Sequence, residues 1–396
     1  MRILFVHDPS DLYGASRSLL RMASRLSLDG HSVLVVLPGE GTLAAKLQDS
    51  GVRVVSCPRL AVLKRKSARN VTGLAQLLSK FGWSTLDLFR LVGKFQPDLV
   101  HSNSAVVLPA GVVARIRRVP HIWHIREIFT DFPKLWILYQ WYIAAFSNRI
   151  VCVSHAVADQ FDSRIRARKV VVLHDGFPAE EFPEVSLAKV QAFRYRYNLN
   201  GNFLVGLVGR IKIGRKGQDI LLDAAAQLKP RFPDTRFLFV GSPFPGNEDH
   251  LIQLRKLISE KNLDDEVIYT GDIDDVKTAY AALDISVQSS VLPEAFSGVV
   301  VESMAMSKVV IASNGGGTPE QIEDGVSGIL VEPGNPEQLA AALNKLHEDP
   351  ELRARLGANG RKKFAAKFEF EVFYDKLRTL QSAVIAVSEQ RHTQNP

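Results

Sequence analysis

Cysteine is scarce. Cys57 and Cys152 are the two thiols of a 396-residue chain, too few for a disulfide framework or a four-thiolate zinc site, and this fits a reducing compartment. Long apolar runs are absent too, since nothing approaches the roughly 18–20 residues needed to span a bilayer. The nearest, Leu135–Phe146, is short and interrupted by Gln140, and reads as a buried helix, with a membrane-surface patch as the alternative. Arg2 is followed by Ile3-Leu4-Phe5-Val6, too brief for a signal core. A cytoplasmic protein is expected, soluble or held peripherally at the inner face of a membrane. No His, Cys, Asp and Glu cluster has metal-ligand spacing and no Gly-x-Ser-x-Gly elbow occurs, so no metal site is expected.

Acidic residues are missing between Asp49 and Asp87, where Arg53, Arg59, Lys64, Arg65, Lys66, Arg69 and Lys80 fall. The net charge of +7 hides an asymmetry: Met1–Asp175 carries 24 basic against 12 acidic residues, the remainder 25 against 30. A basic half attracts polyanions. Nucleic acid is disfavoured, because residues 59–69 interleave no aromatics with the cations. An anionic membrane surface or an anionic lipid-linked acceptor fits better. With 46% apolar and 23% charged residues, the chain is an ordinary globular one.

What is present is a rhythm of short β-branched runs alternating with amphipathic segments. Ile3–Val6, Ser32–Leu37, Val52–Ser56, Asp98–His101, His121–His124, Arg149–Val153 and Val170–Leu173 read as strands. A second series runs through Phe203–Val208, Arg236–Val240, Val267–Tyr269, Ile285–Gln288, Val309–Ala312 and Gly328–Val331. Near-continuous apolar strands separated by helices mean parallel sheets covered on both faces. The expected fold is α/β, two doubly wound Rossmann-like domains facing across a cleft: residues 1–175, a linker 176–200, and residues 201–368. A final amphipathic helix, 369–387, is expected to cross back onto the first domain. Ligands bind such sheets outside the carboxyl ends of the strands.

The loop after Val208 reads Gly209-Arg210, then Gly214-Arg215-Lys216-Gly217. Glycine turns let backbone approach a ligand, a helix N-terminus favours anions, and Arg210 and Lys216 add full charges, which together suit a diphosphate. This loop is neither G-x-G-x-x-G nor a Walker P-loop, which argues against a dinucleotide dehydrogenase or a P-loop kinase. Further on, Pro293-Glu294-Ala295-Phe296-Ser297-Gly298-Val299-Val300-Val301-Glu302 places two carboxylates around a small-residue helix start. Amides near Phe296, Ser297, Gly298 and Val299 would meet an anion. Were the intervening chain helical, Glu302 would lie about 12 Å from Glu294, a span suited to a sugar nucleotide. Glu302 sits among apolar residues and needs a polar partner.

These residues carry a resemblance. With Gly315-Gly316-Gly317-Thr318-Pro319-Glu320 and Asp324–Val331, the stretch from Val205 to about Leu346 resembles the retaining glycosyltransferases of family 4, with the GT-B fold and the E-x7-E signature Glu294…Glu302. The first half matches more loosely, through Tyr13-Gly14-Ala15 and His121–Glu127. The resemblance implies metal-independent transfer of a sugar from a nucleoside-diphosphate donor, a co-substrate and not a cofactor, to a hydroxyl acceptor with retention. It implies that Arg210 and Lys216 neutralise the diphosphate and that Glu302 holds the ribose. Glu294, with the amides of Phe296 and Ser297, would hold the transferred sugar. Gly271, Asp272 and Ile273 would meet the base, and Gly14 would admit the diphosphate or sugar. His124 would touch the sugar near the reacting carbon. His7, His101, Asn103 and Ser154, at or after strand ends, are candidates for lining the acceptor side. Relatives commonly carry Gly where this chain has Ser307, Pro at Val309, and Asn-Gly where it has Asp175-Gly176. A nucleotide-sugar epimerase or hydrolase, and a non-catalytic scaffold, are the alternatives.

Overall fold

The computed structural model describes residues 1–63, 71–129 and 133–394; Lys64, Arg65, Lys66 and Arg69 of the basic stretch lie outside them. The described residues form two units, Met1–Gly176 with Phe373–Pro396, and Phe177–Val372.

In the first unit seven strands form one sheet: β1 (Arg2–Val6), β2 (Ser32–Leu37), β3 (Arg53–Ser56), β4 (Leu99–Ser102), β5 (His121–Ile125), β6 (Arg149–Cys152) and β7 (Val170–Val172). Their order is β3-β2-β1-β4-β5-β6-β7, all parallel. The order reverses between β1 and β4, which opens a crevice at their carboxyl ends. One face is covered by Leu4, Val6, Val36, Val100 and the helix residues Leu88, Val92 and Phe95.

In the second unit β8 (Phe203–Val208), β9 (Thr235–Val240), β10 (Val267–Gly271), β11 (Ile285–Gln288), β12 (Val309–Ser313) and β13 (Ile329–Val331) run parallel in the order β10-β9-β8-β11-β12-β13. Here the reversal lies between β8 and β11. Val205, Leu207, Phe237, Phe239, Val287 and Ile311 face one cluster, with Leu221, Ala225 and Leu343 from the covering helices.

Two expectations are corrected. Residues 176–200 are not an open linker: Leu187–Arg196 is a helix whose Val190 and Phe193, with the following Tyr197, pack against Leu199, Tyr280 and Leu283, because these apolar residues fall at three- and four-residue spacing. The helix Pro133–Ala145 is not buried all round. Trp136, Tyr139 and Ile143 face inward, while Ile137, Leu138 and Trp141 are 59%, 73% and 45% exposed.

The last helix, Phe370–Gln394, packs in the first unit from Phe373 onward. The Tyr374 hydroxyl donates to Asp29 Oδ2 at 2.6 Å, Arg378 donates to the same oxygen at 3.1 Å, and Arg25 lies over the Tyr374 ring.

Candidate active site

The carboxyl ends of β8, β9 and β10 are each closed by a glycine in the left-handed half of backbone space: Gly209 (φ 137°), Gly241 (φ 120°) and Gly271 (φ 68°). The turns are layered by hydrogen bonds from Gly209 N–H to Val240 O (2.8 Å) and from Gly241 N–H to Gly271 O (2.9 Å). A Cβ on Gly241 would sit 2.3 Å from the Gly209 carbonyl oxygen, so no larger residue fits. Beside Gly271, Asp272 is exposed, while Ile273 turns inward onto the cluster containing Val240 and Tyr280.

From Gly209 the chain runs past Arg210, whose guanidinium lies over the Phe244 ring at 4.7 Å, to Gly217, the left-handed cap (φ 75°) of the helix Gln218–Leu228. A Cβ on Gly217 would fall 1.8 Å from the Ser289 carbonyl oxygen, and Ser289 Oγ donates to Gly217 O at 2.7 Å. The β8 loop is thereby seated on the loop that follows β11. Across this seam Lys216 Nζ donates to Glu294 Oε1 at 2.7 Å, and the Ser290 hydroxyl donates to the same oxygen. Burial pushes the Glu294 carboxyl up, but the Lys216 ammonium and hydrogen bonds from Lys216, Ser290 and Gln288 outweigh it and hold the group below the usual carboxylate range. Its backbone is fixed as well: the carbonyl accepts from Gly317 N–H at 2.8 Å, and a Cβ on Gly316 would meet that carbonyl at 2.1 Å. Sequence reasoning used the Gly315–Gly317 run only as a motif; here it is the clamp on Glu294.

The helix expected around Ser297 begins at Gly298 and ends at Ala305. Glu294 therefore precedes it, and the separation of about 12 Å from Glu302, which assumed continuous helix, does not apply. A second correction concerns Ser297. Its N–H donates to Gln321 Oε1 (3.1 Å) and its carbonyl accepts from Gln321 Nε2 (2.9 Å), so a fully buried glutamine takes the amide expected to hold sugar. Phe296 packs its ring against Phe368. The amides of Gly298 and Val299 open the helix, where no carbonyl four residues back within the helix can take them. Glu302 has the polar partner its surroundings require: the buried Tyr280 donates to Oε2 at 2.9 Å. Neither Tyr280 nor Gln321 carries a sequence signal; each acts across a packed interface of residues distant in the chain.

In the first unit Gly14 starts the helix Gly14–Leu28, and a Cβ there would meet nothing within 4 Å, so no internal packing demands the glycine. His7 and Asn103 do not line an open surface. Both are fully buried; His7 contacts Asn103 O (3.1 Å) and Ser16 Oγ (3.0 Å), and Asn103 bonds Ala15 O and Arg126 Nε. Arg126 in turn pairs with Asp175 and donates to Ser18 Oγ at 2.8 Å. This interior network ties the loops after β1, β4 and β5 to the end of the unit, which explains why Asp175 stands before Gly176. Ser154 is likewise corrected: buried, it caps the helix His155–Ala158 by accepting from Val157 N–H.

His101 and His124 behave differently. Both are fully buried, their rings lie 5.5 Å apart, and neither nitrogen of either ring has a hydrogen-bond partner among the described residues. Burial drives His101 down to about 3 and His124 well below the ordinary histidine value, with the Arg126 charge adding to both. Both effects favour the neutral imidazole.

Family models place this geometry in context. "Glycosyltransferase Family 4" matches residues 13–181 and "Glycosyl transferases group 1" matches residues 191–363. An uncharacterized glycosyltransferase of Methanocaldococcus jannaschii is 29% identical, over 69% of this chain and 72% of its own length. The capsular polysaccharide biosynthesis glycosyltransferase CapM of Staphylococcus aureus is 25% identical over 77% and 82%. Among solved structures, Anabaena HepE in complex with UDP-glucose superposes with a TM-score of 0.83 at 24% identity, covering 97% of this chain and all of that one. That likeness gives the fold: two Rossmann-like, parallel-sheet domains of the GT-B type.

Proposed function

Since the chain belongs to the group 1, family 4 glycosyltransferases, we propose that it moves a sugar from a nucleoside-diphosphate donor to a hydroxyl of a glycan or lipid-linked glycan, with retention at the anomeric carbon and without a metal ion. The observation that carries this reading is the Lys216–Glu294 pair at 2.7 Å, set at the carboxyl ends of β8 and β11 where the strand order reverses and ligands of such sheets bind.

The barrier to transfer is charge separation, an oxocarbenium-like sugar against a departing diphosphate. Arg210, Lys216 and the first amides of the helix at Gly298 and Val299 stabilise the negative end as it develops, a preorganised effect worth several kcal/mol. Glu302, steadied by Tyr280, takes the ribose hydroxyls, and Glu294 the hydroxyls of the sugar. The acceptor oxygen bonds to the anomeric carbon on the face the phosphate leaves, and its proton passes to the leaving phosphate oxygen. The rings of His124 and His101 are as fully buried as His7 and Asn103, so in this reading they stand behind the crevice and shape its wall, and neither is assigned a hydrogen bond to the sugar. Similarity to a capsular polysaccharide glycosyltransferase supports a polysaccharide-type acceptor.

An anionic membrane surface is proposed for the first unit. No helix of the described residues is long and apolar enough to cross a membrane. The helix Val71–Phe95 exposes Leu74, Leu78 and Trp83, Arg59 lies over the Trp83 ring, and Lys80 is exposed on the same helix. Flotation with anionic but not neutral vesicles is expected; flotation independent of anionic lipid would remove this part.

The donor reading is tested with a panel of UDP-, GDP- and ADP-sugars, with and without glycan acceptors, the anomeric configuration read by NMR and the rate compared with and without chelator. Transfer with retention, unchanged by chelator, is expected. Donor breakdown that never needs an acceptor would point to a hydrolase.

A further inference from the structure

At the opposite end of the first sheet lies a second cationic recess. A cavity of about 670 Å³ opens where β5, β6 and β7 begin, the edge remote from the carboxyl-end loops. Its polar wall is Arg115, Arg118, Arg149, Arg168 and Lys169, and no carboxylate is among the lining residues. Its other wall is the helix Phe370–Gln394, which contributes Leu380, Ala383, Val384 and Val387, an apolar stripe at helical spacing.

Compensation of helix ends accounts for part of this charge. The helices Pro109–Ile116, Pro133–Ala145 and Ser163–Lys169 all end here, each presenting roughly half a negative charge at its carboxyl terminus. Lys169 is used in this way, donating to the carbonyls of Ala144 and Ser147. Three half-charges against five cations leave a positive surplus, and it is carried by guanidinium groups. Among the described residues Arg149 makes only long contacts of 3.4 Å, to the carbonyls of Asn148 and Arg168. Planar forks of this kind match phosphate oxygens in pairs.

We propose that this recess binds a phosphate-bearing ligand with an apolar portion, the phosphate on Arg115, Arg149 and Arg168 and the apolar part on Leu380, Val384 and Val387. It shares no residue with the donor loops, and it lies where β5, β6 and β7 begin, the opposite end of the sheet from its carboxyl-end loops. The phosphate has two sources, a free polyphosphate or the head of an anionic lipid.

The test titrates the full chain carrying Lys216→Ala, which disables the donor clamp, with inorganic pyrophosphate in one arm and water-soluble dihexanoyl phosphatidic acid in the other, read by calorimetry. Arg149→Gln/Arg168→Gln is added to that background, and Lys46→Gln/Arg90→Gln serves as the charge-matched control. Saturable binding that weakens tenfold or more with the arginine pair and stays within twofold in the control is expected. The lipid binding alone, or more tightly, identifies a lipid head held with its chain on the apolar stripe; pyrophosphate binding alone identifies a free phosphate on the arginines and overturns the assignment of the apolar stripe. Binding of neither probe, or equal loss in both double variants, overturns the proposal. Thermal unfolding of each variant is followed alongside, so that a loss of binding is read only on variants that remain folded.

Discussion

Lowering the pH from about 7 to about 5 should remove most of the stability of the first unit, because four of its histidines are buried neutral. Burial lowers His7 and His101 to about 3 and His121 to about 4, and lowers His124 well below its ordinary value. The unfolded chain takes up these protons near 6.5 and the native one does not. The stability is therefore intact above about pH 6.5 and is lost progressively as the pH falls toward the native values. At about pH 5, 1.5 units below the unfolded value, each of His7, His101 and His121 costs about 2 kcal/mol at 1.36 kcal/mol per unit. The three together cost about 6 kcal/mol, comparable with the 5–15 kcal/mol that holds a typical domain together, and His124 acts in the same direction. Urea unfolding followed by tryptophan fluorescence isolates this unit, since Trp83, Trp123, Trp136 and Trp141 all lie in it. The midpoint should fall steeply between these pH values, and His101→Leu should remove about 2 kcal/mol of the pH dependence. A loss below about 2 kcal/mol over the same range, the share of one imidazole, would refute the reasoning.

Other expectations concern the second unit and the corrected residues. Lys216→Ala should lower kcat/KM by 10²–10³-fold, the scale seen when a preorganised charge-stabilising group is lost, with Lys216→Arg retaining part of the rate in steady-state assays. Tyr280→Phe, which removes a hydrogen bond to a charged carboxylate worth about 1.5–3 kcal/mol, should weaken nucleotide binding about tenfold or more by calorimetry. Ser307 holds φ 57° just past the helix Gly298–Ala305, where glycine is at ease, so Ser307→Gly should raise stability by about 1 kcal/mol in thermal unfolding. Ser154→Ala should cost about 1 kcal/mol of stability as the loss of a helix cap, yet leave kcat and KM unchanged.

The fold was legible because both sheets are built from nearly continuous apolar strands, and Phe203–Val208 or Ser32–Leu37 could not be anything else between two helical segments. Glycine turns with adjoining charge were legible as well, since Gly217 and Lys216 stand together in the chain. What stayed hidden was pairing over long sequence separation. Gln321 reaches back 24 residues to Ser297, and Arg126 reaches 49 to Asp175. His7 and Asn103 look alike as ligand-facing residues until each is found bonded to the other's loop. The exposed face of Pro133–Ala145 was hidden for the opposite reason: its composition is apolar on both sides, so no periodicity separates inside from outside.

The most direct measurement is calorimetric binding of the nucleoside diphosphate matching the preferred donor to the wild-type chain, Lys216→Ala, Glu302→Ala and Ser154→Ala. Affinity should fall tenfold or more for the first two variants and stay within twofold for the third. Equal affinity in all four proteins would mean that the loops after β8 and β11 are not where the donor binds.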